Sequence, residues 1–182
     1  MKKIIILLYL LTLCLTSIKA NETDKKLNQL FNDLLLSNDT SSNEIEQKIW
    51  KLWSTHPDDK KLTVMLSQGS EAVNNNQLIK AIDIFTDVIN QDPTWAEAWN
   101  KRATVLYMIG EYQKSQNDIN KVLELEKRHF GALAGQGLVN IKLKNYEKAI
   151  KSYKKALKIY PSMQSPEIMI KEIEALIKQD LI

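Results

Sequence analysis

The chain has 182 residues, 44% of them hydrophobic, with 25 Lys and Arg against 22 Asp and Glu and a formal net charge of +3. That length holds one ordinary domain, and five Gly and four Pro are too few for a loop-rich or sheet-rich fold, so a mostly helical chain is expected. The charge excess rests on Lys2, Lys3 and Lys19; without them 22 bases face 22 acids, which argues against a basic nucleic-acid-binding surface.

Residues 1–20, MKKIIILLYLLTLCLTSIKA, place two lysines before an apolar run from Ile4 to Leu15, interrupted only by Tyr9 and Thr12, and end on a small residue. This is the order of a secretory signal, with cleavage expected after Ala20 and a soluble exported product, periplasmic in a bacterium. The run is shorter than the roughly 18 residues that a membrane span needs, and an uncleaved anchor is the alternative. The single cysteine, Cys14, lies inside that run behind Leu13, where a lipid-modified cysteine would follow a small residue. A cleaved chain would therefore have no thiol and no disulfide.

Residues 21–61 read as a helical lead. Leu27, Leu30, Phe31, Leu34 and Leu35 fall on one helical face. The segment 37–43, SNDTSSN, reads as a polar break. Ser41 and Glu44 then have the spacing of a capping box before a helix carrying Ile45, Ile49, Trp50 and Trp53. The two tryptophans are expected to pack on the unit that follows.

That unit repeats. Gly69, Ala103 and Gly137 are 34 residues apart, as are Ala81, Ser115 and Ala149, and Phe85, Ile119 and Tyr153. Leu78, Tyr112 and Tyr146 keep the step, with Met65, Trp99 and Leu133, and Pro93, Lys127 and Pro161. Three copies follow, 62–95, 96–129 and 130–163. In each, one small residue lies mid-way along a first helix and another opens a second. Small side chains let two antiparallel helices approach closely while the bulky positions fill the space around them. One such pair cannot bury its apolar face alone, so the copies must stack. Beyond them, Ser165-Pro166-Glu167 is a good helix start for a capping helix over 164–182, with Ile168, Ile170, Ile173, Leu176 and Ile177 on its apolar side.

The period and the residues at it resemble the tetratricopeptide repeat (TPR), a 34-residue helix–turn–helix unit, and the layout is similar to small secreted bacterial TPR proteins. Copy two shows it in Trp99, Ala103, Gly110, Tyr112, Ser115 and Ile119, and copy three in Gly137, Tyr146, Ala149, Tyr153, Ala156 and Pro161. Copy one departs at Asn76 and Leu78, and copy two has Lys127 in place of Pro. The resemblance implies an all-α, right-handed helical-repeat solenoid of three repeats with flanking helices. It also implies directions for side chains. Trp99, Ala103, Leu106 and Tyr112 belong to the core. Leu66, Ser70 and Val73, then Asn100, Thr104 and Tyr107, then Ala134, Leu138 and Ile141 would line the inner, concave strip.

A strip mixing hydroxyl, amide and apolar side chains suits an extended peptide or an amphipathic helix. It lacks the Lys and Asn arrangement of TPR domains that clamp a C-terminal carboxylate. The alternative is a groove left empty or filled by a terminal helix of the chain itself. A second candidate surface is the run Lys148, Lys151, Lys154, Lys155 and Lys158 in copy three, which could meet an acidic partner or, weakly, anionic lipid headgroups. Catalysis is not expected. His56 and His129 have no ligand partner at helical spacing, and no GxSxG, Gly-rich phosphate loop or nucleophilic cysteine is present. Asp58, Asp59 and Asp92 read as cap or turn residues. The expectation is a non-enzymatic binding module of the cell envelope that needs no cofactor or metal, whose partner is another protein and not a nucleic acid.

Overall fold

The computed structural model describes residues 22–37 and 39–180. The expected signal, Cys14 and the cut after Ala20 lie outside the described residues. Among the described residues there are nine helices and no strand: α1 (22–36), α2 (Asp39–Trp53), α3 (Lys60–Asn74), α4 (Leu78–Gln91), α5 (Ala96–Met108), α6 (Tyr112–Leu125), α7 (Phe130–Lys142), α8 (Tyr146–Ile159) and α9 (Gln164–Asp180). Helices α3/α4, α5/α6 and α7/α8 are the three repeats.

Each pair turns back at one residue. Asn76, Gly110 and Lys144, 34 apart, have φ of 56°, 83° and 58°. The left-handed residue lets Gln77, Glu111 and Asn145 donate their N–H to Ala72, Leu106 and Asn140 carbonyls at 2.7–2.9 Å, closing the first helix of each copy. Gly at 110 holds this conformation without strain, whereas Asn76 and Lys144 hold it against a Cβ penalty.

Close approach within each pair follows a size rule. A Cβ on Gly69 would collide with the ring of Phe85, and one on Gly137 with the ring of Tyr153. In copy two Ala103 meets the smaller Ile119 instead. Volume given up on the first helix is filled from the second. Ser115, where the other copies have Ala, donates its hydroxyl to the Ala103 carbonyl at 2.8 Å, so its buried polar group is satisfied. Copies one and two are further joined by Arg102, whose guanidinium bonds Asp118 through two nitrogens at 2.7 and 2.8 Å and Thr86 Oγ1 at 3.1 Å.

The lead crosses one edge of this stack, where the first helices of the repeats begin. Ser42 and Glu46 of α2 meet the Tyr160 hydroxyl at 3.3 and 3.0 Å. Trp50 packs edge-on to Phe130 at 5.4 Å, and Trp53 stacks on the His129 ring at 4.0 Å. The Trp53 carbonyl accepts from Trp95 Nε1 at 2.8 Å. From α1, Asn28 accepts from Arg128 at 2.6 Å and Phe31 lies under its guanidinium. The two inter-repeat turns, near residues 93 and 127, and the turn into α9 near residue 161 are thus tied to one strap.

Four expectations need correction. Trp50 and Trp53 pack mainly on His129 and Phe130, where copy two ends and copy three begins, because the strap runs across the turns rather than stacking before copy one. Helix α2 starts at Asp39, so Ser41 and Glu44 lie inside it; the contact with Tyr160 rewards helix in a segment whose local composition reads as a break. In α1, Leu35 is exposed while Leu27, Leu30, Phe31 and Leu34 are buried. In α9, Ile168 and Leu176 face solvent, while Ile173 is buried with Met169, Ile170 and Ile177 against α8.

Candidate partner-binding site

The inner strip is not one continuous groove. Leu66 is only 2% exposed: its apolar side chain packs between helices in the copy-one core and does not line the strip. Val73 and Ile141 are half-buried against their own copies' cores. Ser70 and Thr104 donate their hydroxyls back to the carbonyls of Leu66 and Asn100 at 3.1 and 3.0 Å, which leaves them as acceptors only. Asn100 donates to Glu97 at 3.1 Å.

Four of the strip residues do come together. Asn100, Thr104 and Tyr107 of α5 and Leu138 of α7 line a recess of about 70 Å³ whose floor is Ala103, Ser115 and Ile119. Gly131 and Gly135 open its α7 side. A Cβ on Gly131 would strike the Trp50 ring, whereas one on Gly135 would meet only Ile119 at 3.7 Å. Thr104 and Leu138 are exposed at the mouth. Tyr107 is half-buried, its ring 5.5 Å from that of Tyr112. The strap stops at Gly131, so it borders the recess without filling it.

Sequence reasoning did not foresee these two glycines. Their signal was present: two glycines four apart sit on one helical face with Leu138 another turn along.

Nor did it foresee the wiring of the two histidines. His129 is fully buried; its Nδ1 accepts the Ala132 N–H at 3.0 Å, so Nε2 carries the proton and donates to Glu97 at 3.0 Å. His56 repeats the scheme, accepting from Asp59 N–H at 2.8 Å and donating to Asp92 at 2.8 Å. The His129 ring caps α7 with one nitrogen, the His56 ring holds the turn that leads into α3, and each holds a carboxylate with its other nitrogen. Asp59 serves as the expected cap, accepting from Lys61 and Leu62 N–H. Burial pushes the Asp92 carboxyl up, but hydrogen bonds from Thr94 and His56 outweigh it and hold the group below its ordinary value. Glu126 behaves alike: the Arg128 guanidinium overcomes burial and lowers it. Burial raises the hydroxyl of Tyr153 above its usual range.

The lysines of copy three divide. Lys148, Lys151 and Lys155 line an outer recess of about 430 Å³ between α6 and α8, while Lys154 and Lys158 stand outside it. All five are exposed, and none has an ion pair among the described residues. No group of three His, Cys, Asp or Glu side chains among the described residues is placed to hold a metal ion.

Comparison with known proteins matches this architecture. The family model of the tetratricopeptide repeat matches residues 131–163. A TPR repeat-containing protein of Rhizobium etli is 31% identical over 128 residues, 70% of this chain and 62% of its own length. A tetratricopeptide repeat protein 36 homolog of Nematostella vectensis is 32% identical over 111 residues, 60% of this chain and 60% of its own. The chain therefore spans about 60% of the length of these curated relatives. Among solved structures, the first TPR of Spaghetti (RPAP3) bound to the HSP90 peptide SRMEEVD superposes with a TM-score of 0.64 at 21% identity, covering 66% of this chain and 96% of that one. At that identity the likeness is one of fold.

Proposed function

Because the chain carries a tetratricopeptide repeat and folds as a TPR solenoid, we propose that it is a non-enzymatic binding module of the cell envelope, holding a peptide or helix of another protein on its inner face. The observation that carries this reading is the recess between α5 and α7. At about 70 Å³ it has room for one side chain, far below the roughly 300–1,000 Å³ of small-molecule sites. It is apolar at Leu138 on its wall and Ala103 on its floor and polar at Asn100 and Thr104, the mixture that seats an apolar anchor beside a peptide backbone. Tyr107 offers a broad, stiff ring whose hydroxyl makes no hydrogen bond among the described residues. A structural neighbour was solved with a peptide bound, which is consistent with a protein partner here.

The position outside the cytoplasm rests on the order of residues 1–20. An exported product beginning at Asn21 is expected; one beginning at Met1 would overturn it. For the inner face, the chain serves as bait in affinity capture. Tyr107→Ala and Gly135→Leu, the second filling the recess, should each lose the captured partner while helix content and melting stay near the parent's. Capture indifferent to both would sink the reading.

A further inference from the structure

The outer face repeats its recess at the same 34-residue step, and the chemistry changes from one to the next. Between α4 and α6 the recess, about 550 Å³, is lined by Ile79, Ile82, Leu106 and Ile109 and bridged by the Arg102–Asp118 pair. Between α6 and α8 the four apolar positions become Gln113, Gln116, Asn140 and Leu143, and the charged pair becomes Gln136 and Ser152.

Packing gives no reason for this. Asn140 and Ser152 are 6% and 4% exposed, and a buried amide or hydroxyl gains nothing over an apolar side chain unless every bond is made. Those bonds are made, as a network. Asn140 Nδ2 donates to Gln116 Oε1 at 3.2 Å, Ser152 Oγ to Gln136 Oε1 at 2.9 Å, and Gln116 Nε2 to Asn120 Oδ1 at 2.8 Å. The result is a set of carboxamides held in fixed orientation: Asn140 spends both its N–H groups within the protein, while Gln113, Gln116, Asn120 and Gln136 each keep an N–H to donate to a peptide carbonyl. Above them stand Lys148, Lys151 and Lys155 without counter-charge among the described residues. Copy three as a whole has seven lysines and one acid, whereas copy one has one lysine and four acids.

We propose that this outer recess is a second binding site, for an extended acidic peptide segment, distinct from the inner face. The carboxamides take the peptide backbone, and the three lysines take its Asp and Glu side chains. A lipid surface fits less well. It would rest on the crown, where Lys154 and Lys158 are as available as the others, and could not reach the amides below. An extended segment rises about 3.3 Å per residue, so about five or six residues span the three helix axes, which lie roughly 8–10 Å apart.

The test uses the full chain and a labelled oligo-glutamate peptide of about eight residues. Lys148→Gln, Lys151→Gln and Lys155→Gln together should weaken binding at least about tenfold. Gln113→Ala with Asn120→Ala, both exposed, should weaken it about threefold without a change in melting. Lys154→Gln with Lys158→Gln, and separately Tyr107→Ala, should leave it unchanged. Equal loss from the crown pair, or no loss from the amide pair, would reduce the site to a diffuse charged surface and overturn the proposal. So would stronger binding to phosphatidylserine vesicles that depends on all five lysines alike. A concentration-dependent mass that the recess substitutions abolish would assign the site to a second copy of this chain instead.

Discussion

Helix α7 takes part in two regions that differ sharply within one and a half turns. At its start, His129 and Phe130 are sealed under α1 and α2 by stacked rings, a cap and a carboxylate, with the Trp50 ring against Gly131 at the boundary. A turn later, Gly135 and Leu138 border an open recess that nothing in the described chain enters. The strapped edge pairs both histidines with carboxylates, although Trp53 Nε1 is buried there without a hydrogen-bond partner; at the inner recess the Tyr107 hydroxyl makes no hydrogen bond among the described residues. The contrast teaches where stability and binding are separated in this solenoid. Residues that meet the strap hold the repeats together, and residues just past it are free to change for a partner.

The sharpest way to break that comparison is Trp53→Ala. Its ring is 8% exposed and stacks on His129, so its loss opens a cavity at the turn between copies two and three. Truncation of a large buried aromatic costs about 3–5 kcal/mol, a large share of the stability of a domain this size. The melting temperature should fall by more than for any inner-face substitution. If Trp53→Ala and Tyr107→Ala shift melting equally, the two regions are not distinct.

The repeats were legible in the sequence and the strap was not, for a physical reason. Each copy's core is local: Gly69 with Phe85, Ala103 with Ile119 and Gly137 with Tyr153 are all sixteen residues apart, and the pattern recurs three times. Trp53 instead finds its partner at His129, across 76 positions with no periodicity to announce it. The two histidines, placed in loops by the sequence, bond backbone three residues on, but their carboxylate partners lie 32 and 36 residues away, where no motif announces them. The recess was half legible. The register placed Asn100, Thr104, Tyr107 and Leu138 on one strip, but it could not say that Leu66 would be drawn into the core or that glycines would open the wall.

Acid should act on the strapped edge before the inner face. Asp92, held by Thr94 and His56, and Glu126, held by Arg128, both have carboxyls lowered in the folded chain. A depressed group contributes stability above its unfolded value, and that contribution is lost as pH falls through the folded value. Stability from these two groups is thus fully present above about pH 5 and declines below about pH 4. Tryptophan emission, reporting on Trp50 and Trp53 in the strap and on Trp95 bonded to it, should shift to the red in that lower range. Asp92→Asn with Glu126→Gln should flatten the dependence. A profile that is unchanged in the double variant would mean that other carboxylates hold the edge.

The smallest effect tests the comparison from the other side. Gly135 lies inside α7, where a glycine costs about 0.5–1 kcal/mol relative to alanine through the freedom its backbone loses on folding. An added Cβ meets only Ile119, at 3.7 Å, an ordinary contact, so Gly135→Ala should raise stability by about that amount. At Gly131 the same change should destabilise, because the methyl collides with Trp50 and pushes the strap away. The two substitutions are chemically identical and sit one turn apart on one face. Opposite signs in melting would show the boundary between sealed edge and open recess to lie between them. The methyl at residue 135 also intrudes on the recess, so the more stable variant should capture its partner less well. A variant that gains stability and keeps full capture would place the partner elsewhere.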